Sequence, residues 1–340
     1  MESGQRNANK VSLHQGFKLF HQNFVLFVEI NKKRCATEAE LMASAEPCFV
    51  RKDNRPIAAR IKVCPQLERW EEFLESKTAS DVFRHELLHA LGWGTITSRL
   101  ASELTPVDIK LNWNDGVSSQ QVTRTFMDFS TSATIYARRY FNCPQLEGIE
   151  ADKADRKHLS EYIFGNELMT PAISATANYF TDISARILEE TFVGHNPWYA
   201  VNRSIISLEN QEYSYGRDWG CPFVKASCYD YINTRLRERR STFPFCSSAE
   251  YLQRSPSLKV CAIDSPIQYT FKCDSVLFDF EDQSSNGLKP RRLSDIIHGI
   301  DLKLSRRMAS VSEMRFCPFI MDISTETPYV APSFKNMRAC

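Results

Sequence analysis

The chain has 340 residues, 43% hydrophobic and 24% charged, with Lys+Arg 42 against Asp+Glu 41. That length and balance exclude wholesale disorder and leave polymer enough for a packed core in two or three domains. A net charge of +1 supplies no field for nucleic acid or an anionic membrane. No apolar run approaches the roughly 18 residues of a membrane-spanning helix.

Taken in order, residues 24–30 are apolar with β-branched members and predict a buried strand. Residues 55–63 predict a second strand, opened by Pro56 and closed at Cys64-Pro65. A helix is expected from about Glu68 to Ser76. Thr78-Ala79-Ser80-Asp81 has the capping-box pattern and begins another helix running to about Leu91, where Gly92 is placed to end it. Residues 105–125 read as loop and strand, Ser130–Tyr140 and Ile183–Thr191 as helices. After Cys228 the pattern turns short and loop-rich, with a soft boundary near 235 in the charged run 235–240. In a neutral chain that run reads as a solvated helix face rather than a basic binding patch.

Eleven cysteines are many for this length, seven of them after residue 220, and none forms a CxxC pair. Scattered cysteines of this kind predict disulfides and an oxidising compartment rather than a zinc ribbon or a thioredoxin-type site. The opening 25 residues hold no apolar signal-peptide core or small-residue cleavage site. This predicts either a chain lacking its true start, which the odd cysteine count fits, or one that reaches its compartment by another route, and it leaves a cytoplasmic place open.

The chemistry is carried by His85-Glu86-Leu87-Leu88-His89, an HExxH motif inside the capped helix. Residues four apart share a helix face, so both imidazoles can address one zinc ion, while Glu86 is turned towards a water beside it. That pattern suits hydrolysis of a peptide bond, with zinc polarising the carbonyl and Glu86 as general base and then acid. By this composition a chance HExxH arises in about 1 of 100 such chains, so the surroundings matter. Val82, Phe83, Leu87, Leu88 and Leu91 make the helix largely apolar, which takes the histidines off a free surface. Buried imidazoles need partners, and a metal supplies them.

A third protein ligand is required. The compact pattern HExxHxxGxxH fails, because Thr95 stands where its last histidine would be. His14 and His21 precede the strand region and His298 lies in the cysteine-rich tail, which leaves His158 and His195, or Glu103 and Glu167 for a site of two histidines and a glutamate.

Several blocks in order resemble the leishmanolysin-like metallopeptidases, a metzincin family. They are residues 23–28, Arg34-Cys35, 55–58, Cys64-Pro65, the stretch HELLHALG at 85–92, 141–144 and 146–148. Asn166-Glu167-Leu168-Met169-Thr170, 188–191, 198–202, 215–221 and 316–318 complete the set. The resemblance implies that a long insertion separates Gly92 from the third zinc ligand, His158, and that Met169, eleven residues later, forms a methionine turn beneath the metal. Two departures stand out: Trp93-Gly94 replaces the common Phe-Ser, and Leu159-Ser160-Glu161 follows the histidine where Trp-Glu is usual. The family also has a signal peptide, a propeptide and more of an N-terminal subdomain ahead of residue 20.

The resemblance implies an α+β fold: a metzincin-type zincin catalytic domain, with a twisted sheet packed on the HExxH helix, and a cysteine-rich C-terminal domain. Residues 1–98 would form a partial N-terminal subdomain, 99–235 a central subdomain with the insertion, His158 and Met169, and 236–340 the cysteine-rich part. It implies one Zn2+ per chain, protein or peptide substrates lying against a sheet edge, a monomer, and an extracellular or cell-surface location. Cysteine pairs implied in the same way are Cys35–Cys64, Cys143–Cys221, Cys228–Cys317, Cys246–Cys273 and Cys261–Cys340, leaving Cys48 alone. Asn202-Arg203-Ser204 is the one N-glycosylation sequon. The competing function is a catalytically inactive relative serving in adhesion or protein binding, against which the intact His85, Glu86, His89, His158 and Met169 weigh.

Overall fold

The computed structural model describes residues 24–30, 41–64, 77–94, 107–114, 119–127, 132–152, 156–171, 173, 178–193, 196–240, 242, 245, 258–262, 268–275, 318–322 and 337–339. The chain is a mixture of helices and small sheets. Strand β3 (Pro56–Val63) is the middle of a three-stranded sheet. It pairs parallel with β1 (Val25–Ile30) and antiparallel with β2 (Ala43–Val50). Helix α1 (Lys77–Ala90) packs on β2 and β3, where Ala58, Ala59, Ile61 and Val63 are buried. Side chains alternate along a strand, so Ala59, Ile61 and Val63 share one face of β3 and Ala58 lies on the other.

The first strand forms where its composition predicts, but it is not buried. Leu26, Phe27, Val28 and Ile30 are exposed, because β1 pairs with β3 alone among the described strands. Strand β2 was not expected from sequence. Its segment, ASAEPCFV, carries Pro47, which donates no ladder bond, and the register slips between Pro47 and Val50. Both features belong to an edge strand with a bulge. The helix expected over Glu68–Ser76 lies outside the described residues.

A second sheet is a hairpin of β4 (Val107–Asn114) and β5 (Ser119–Met127), with short β6 (Ile149–Ala151) on the far side of β5. The buried pair Arg124–Glu150 ties β5 to β6. Helix α2 (Ser132–Tyr140) packs against α4 (Asp182–Glu189), with the one-turn α3 (Glu161–Phe164) between them in sequence. The main core gathers here around Phe126, Phe141, Tyr162, Phe164, Met169 and Phe223. Two-residue strands β7 (Phe192–Val193) and β8 (Asn196–Pro197) lead to α5 (Arg203–Glu212), α6 (Cys221–Lys225) and α7 (Cys228–Arg237).

Helix α7 corrects the expectation of loop after Cys228. Ser227 caps it by accepting from the Asp230 amide at 3.0 Å, a Ser-x-x-Asp signal present in the sequence and overlooked. The charged run 235–240 lies at its exposed end, as a solvated terminus. A four-stranded antiparallel sheet of β9 (Leu258–Ala262), β10 (Gln268–Ser275), β11 (Pro318–Asp322) and β12 (Met337–Ala339) completes the chain in the order β11-β10-β9-β12.

Cys143 and Cys221 form a disulfide, as the resemblance implied. Cys64 and Cys228 are also disulfide-bonded, and Cys48 is a free thiol. Cys35, Cys246, Cys317 and Cys340, and the side chains of Cys261 and Cys273, lie outside the described residues. Among the described residues no helix is long and apolar enough to cross a membrane.

Candidate metal centre

The site begins with the end of α1. Gly92 has φ 107°, its amide donates to the His89 carbonyl, and the Trp93 amide donates to Leu88 O at 3.0 Å. This is the two-bond helix stop that a left-handed glycine allows, as the sequence predicts. At the other end the capping-box expectation is corrected. Thr78 already lies inside the helix, and Asp81 does not serve the helix terminus. Its Oδ1 accepts from Arg84 Nη1 at 3.0 Å, and its Oδ2 accepts from Asn178 N and Nδ2 at 3.2 and 3.1 Å. Arg84 reaches on to Glu209 at 2.6 Å, and Glu209 Oε2 accepts from the Phe180 amide. The helix is thereby tied to segment 178–180 and to α5.

His85 and His89 are buried, at 5% and 8% exposure, and Glu86 between them at 6%. Leu87 points the other way and is exposed. His158 comes from the segment after β6, where its carbonyl accepts from the Asp152 amide at 2.8 Å. The three Nε2 atoms form a small triangle: His85 to His158 is 3.1 Å, His85 to His89 is 3.1 Å and His89 to His158 is 2.9 Å. His85 and His158 stack at 17° while His89 stands edge-on to both.

Hydrogen bonds on the far side of two rings fix the tautomers. His85 Nδ1 donates to the Leu168 carbonyl at 2.6 Å, and His89 Nδ1 to the Trp93 carbonyl at 3.2 Å. A carbonyl only accepts, so each Nδ1 carries the hydrogen and each neutral ring presents an Nε2 lone pair inward. With their hydrogens on Nδ1, His85 and His89 set two Nε2 lone pairs against each other at 3.1 Å, and a hydrogen on His158 Nε2 cannot serve that edge. A cation held by three imidazoles serves them all. Two nitrogens each about 2.0–2.1 Å from one zinc ion at a near-tetrahedral angle lie roughly 3.3 Å apart, close to the spacing seen here. Among the described residues this trio is the group of histidines, cysteines and carboxylates that could hold a metal ion.

The alternatives for the third ligand separate cleanly where they are described. Glu167 is fully buried and engaged by its own turn and by the start of α4. Its Oε2 accepts from the Met169 amide at 2.6 Å, and its Oε1 accepts from Ser184 Oγ at 2.6 Å, Thr181 Oγ1 at 3.1 Å and the Thr181 amide at 3.2 Å. Burial pushes its carboxyl above the usual value, against the four hydrogen bonds that favour the ionised form. His195, Glu103 and Thr95, with His14, His21 and His298, lie outside the described residues.

Met169 has no exposed surface. The turn around it touches both histidine-bearing elements. The Leu168 carbonyl receives His85, and the Met169 carbonyl accepts from the Leu159 amide, beside His158, at 2.8 Å. Tyr199, which sequence reasoning passed over, donates its hydroxyl to the Leu91 carbonyl at 2.7 Å, with the Arg55 guanidinium 5.3 Å from its ring centroid. Burial lifts its phenol to about 12. Asn202 is exposed at the N-cap of α5, its Oδ1 accepting from the Ser204 amide and hydroxyl.

The family model described as leishmanolysin matches residues 10–264. A leishmanolysin-like peptidase of Drosophila melanogaster is 22% identical over 360 residues, covering 95% of this chain and 49% of the relative. One from Caenorhabditis elegans is 23% identical over 266 residues, covering 67% of this chain and 38% of the relative. One from Caenorhabditis briggsae is 22% identical, covering 90% and 49%. The chain thus spans about half the length of the curated relatives it matches. With three-quarters of its length matched by the family model, and the two buried histidines of an HExxH helix gathered with the half-buried His158, the chain belongs to the leishmanolysin family of metallopeptidases.

Proposed function

We propose that this chain is a zinc metalloendopeptidase with a metzincin-type site, in which His85, His89 and His158 hold the metal and Glu86 moves the proton. The single observation that carries the reading is the Nε2 triangle, with edges of 2.9–3.1 Å and two tautomers set by backbone carbonyls. Zinc bound there supplies a Lewis acid that polarises a peptide carbonyl and acidifies a water. Glu86, next to His85 on the same helix, accepts the proton of the attacking water at its carboxylate. It then delivers that proton to the amine nitrogen as the peptide C–N bond breaks. Met169 acts through packing: it is a buried apolar floor whose turn holds His85 and the residue after His158.

The substrate is an unfolded or extended protein segment. Among the described strands β2 is an edge of the sheet that packs on α1, so an extended peptide can add to it by main-chain hydrogen bonds. The Cys143–Cys221 bond, and the bonded Cys64 and Cys228, support an extracellular or cell-surface setting, in which Asn202 is open to glycosylation. The test is cleavage of a generic unfolded protein by zinc-loaded chain beside Glu86→Ala. Cleavage that is lost with chelator and in the variant supports the proposal; equal cleavage by Glu86→Ala overturns Glu86's role, and none by folded, zinc-loaded wild type overturns the activity.

A further inference from the structure

Trp93 stands just past the glycine that ends α1, and its side chain is almost wholly buried, at 1% exposure. Unlike a phenyl ring, its indole carries an N–H donor. In this chain the donor is used. Trp93 Nε1 donates to the Lys157 carbonyl at 2.9 Å, and Lys157 is the residue immediately before His158. The carbonyl of the same Trp93 accepts from His89 Nδ1 at 3.2 Å. One residue therefore touches the supports of two members of the trio, one through its backbone and one through its side chain.

The neighbouring residue permits the approach. Gly94 has φ +73°, and a Cβ there would stand 2.8 Å from Lys157 Cβ and 3.0 Å from Lys157 O. Only a glycine lets the strap 93–94 lie this close to segment 157–158. On the other side of His158 the Leu159 amide is held by the Met169 carbonyl at 2.8 Å. His158 is thus pinned from before by the indole and from behind by the methionine turn. The two segments that the indole joins are 64 residues apart in sequence, so no local structure would hold them together.

We propose that Trp93 is a positioning residue for the metal centre, whose indole N–H fixes the backbone of the third ligand, His158, against the HExxH helix. The inference rests on the metal-binding reading of the trio. It adds a lock between two ligand-bearing segments 64 residues apart in sequence. Ligand supports of this kind change metal affinity by about 10–100-fold when lost.

The test uses the full chain and Zn2+, with the dissociation constant read by competition against a chromophoric chelator. Three proteins are compared with wild type: Trp93→Phe; a variant carrying benzothienylalanine at 93, which keeps the bicyclic shape and lacks the N–H; and His158→Ala. The expected result is zinc binding weakened about tenfold in both position-93 variants, with faster zinc release, while the metal-free benzothienyl variant still unfolds cooperatively, about 2–4 °C below metal-free wild type. Wild-type affinity in the benzothienyl variant overturns the role of the indole N–H and leaves the metal reading standing. Zinc binding by wild type that His158→Ala does not weaken overturns the metal reading, and this inference with it.

Discussion

Glu167→Gln is the perturbation whose cost the structure fixes most tightly. The carboxylate is fully buried and each of its oxygens meets a backbone amide: Met169 N on Oε2 at 2.6 Å and Thr181 N on Oε1 at 3.2 Å. A glutamine has one accepting oxygen and one NH2 group. If the oxygen faces Met169, the NH2 faces the Thr181 amide; if it is flipped, the NH2 faces Met169. The hydroxyls of Thr181 and Ser184 can rotate to accept, but a backbone N–H cannot. Either orientation strands one buried amide, at about 1–3 kcal/mol, and removes the charge assistance from the remaining bonds. The argument holds whether the native carboxyl is ionised or protonated, since a carboxylic acid still offers a lone pair to each amide. We expect a loss of about 2–4 kcal/mol in global stability, measured by denaturant unfolding of the metal-free chain. Because the Leu168 carbonyl that holds His85 lies in the same turn, zinc affinity falls as well. A variant within about 0.5 kcal/mol of wild type, the range of an innocuous surface substitution, would show that no buried amide is stranded.

Two further outcomes follow from other parts of the molecule. Removing the Cys143–Cys221 bond by a double serine substitution opens a loop of sequence separation 78, for which chain entropy gives about 4.5 kcal/mol; a stability change under about 1 kcal/mol in unfolding experiments would contradict that figure. Tyr199→Phe loses the hydrogen bond to Leu91 O, costing about 1 kcal/mol at neutral pH. Burial raises the folded phenol from 10.0 to about 12, so its contribution is complete below the unfolded value and is lost as pH rises through the folded one. The stability gap between wild type and Tyr199→Phe should therefore narrow above about pH 10, and a gap that widens there would show the sign to be wrong.

Much of the site is written in local signals. Four-residue spacing puts His85 and His89 on one face, and Gly92 ends the helix by a conformation that only its missing side chain makes easy. The resemblance named His158 and Met169, and the fold brings both to the helix. What the sequence hides is long-range pairing. Glu167 reads as a candidate ligand because it is a carboxylate near a histidine, yet its oxygens are engaged by Met169, Thr181 and Ser184. Thr78 and Asp81 read as a capping box because they stand three apart at the head of a helical pattern, yet Asn178, 97 residues from Asp81, takes its Oδ2. The run Val25–Ile30 reads as buried because it is apolar, and hydropathy does not record that a strand has only one described partner. Strand β2 is obscured by Pro47, which edge strands tolerate and sequence patterns penalise. Trp93 and Tyr199 act through one polar atom each on backbone carbonyls, a role no periodicity reports.

If three imidazoles share one zinc ion, X-ray absorption at the zinc edge of the zinc-loaded full chain will show it. The expected shell is one zinc per chain with three imidazole nitrogens at about 2.0–2.1 Å, falling to two in His158→Ala. A shell containing sulfur at about 2.3 Å, or three imidazoles persisting in His158→Ala, would contradict it.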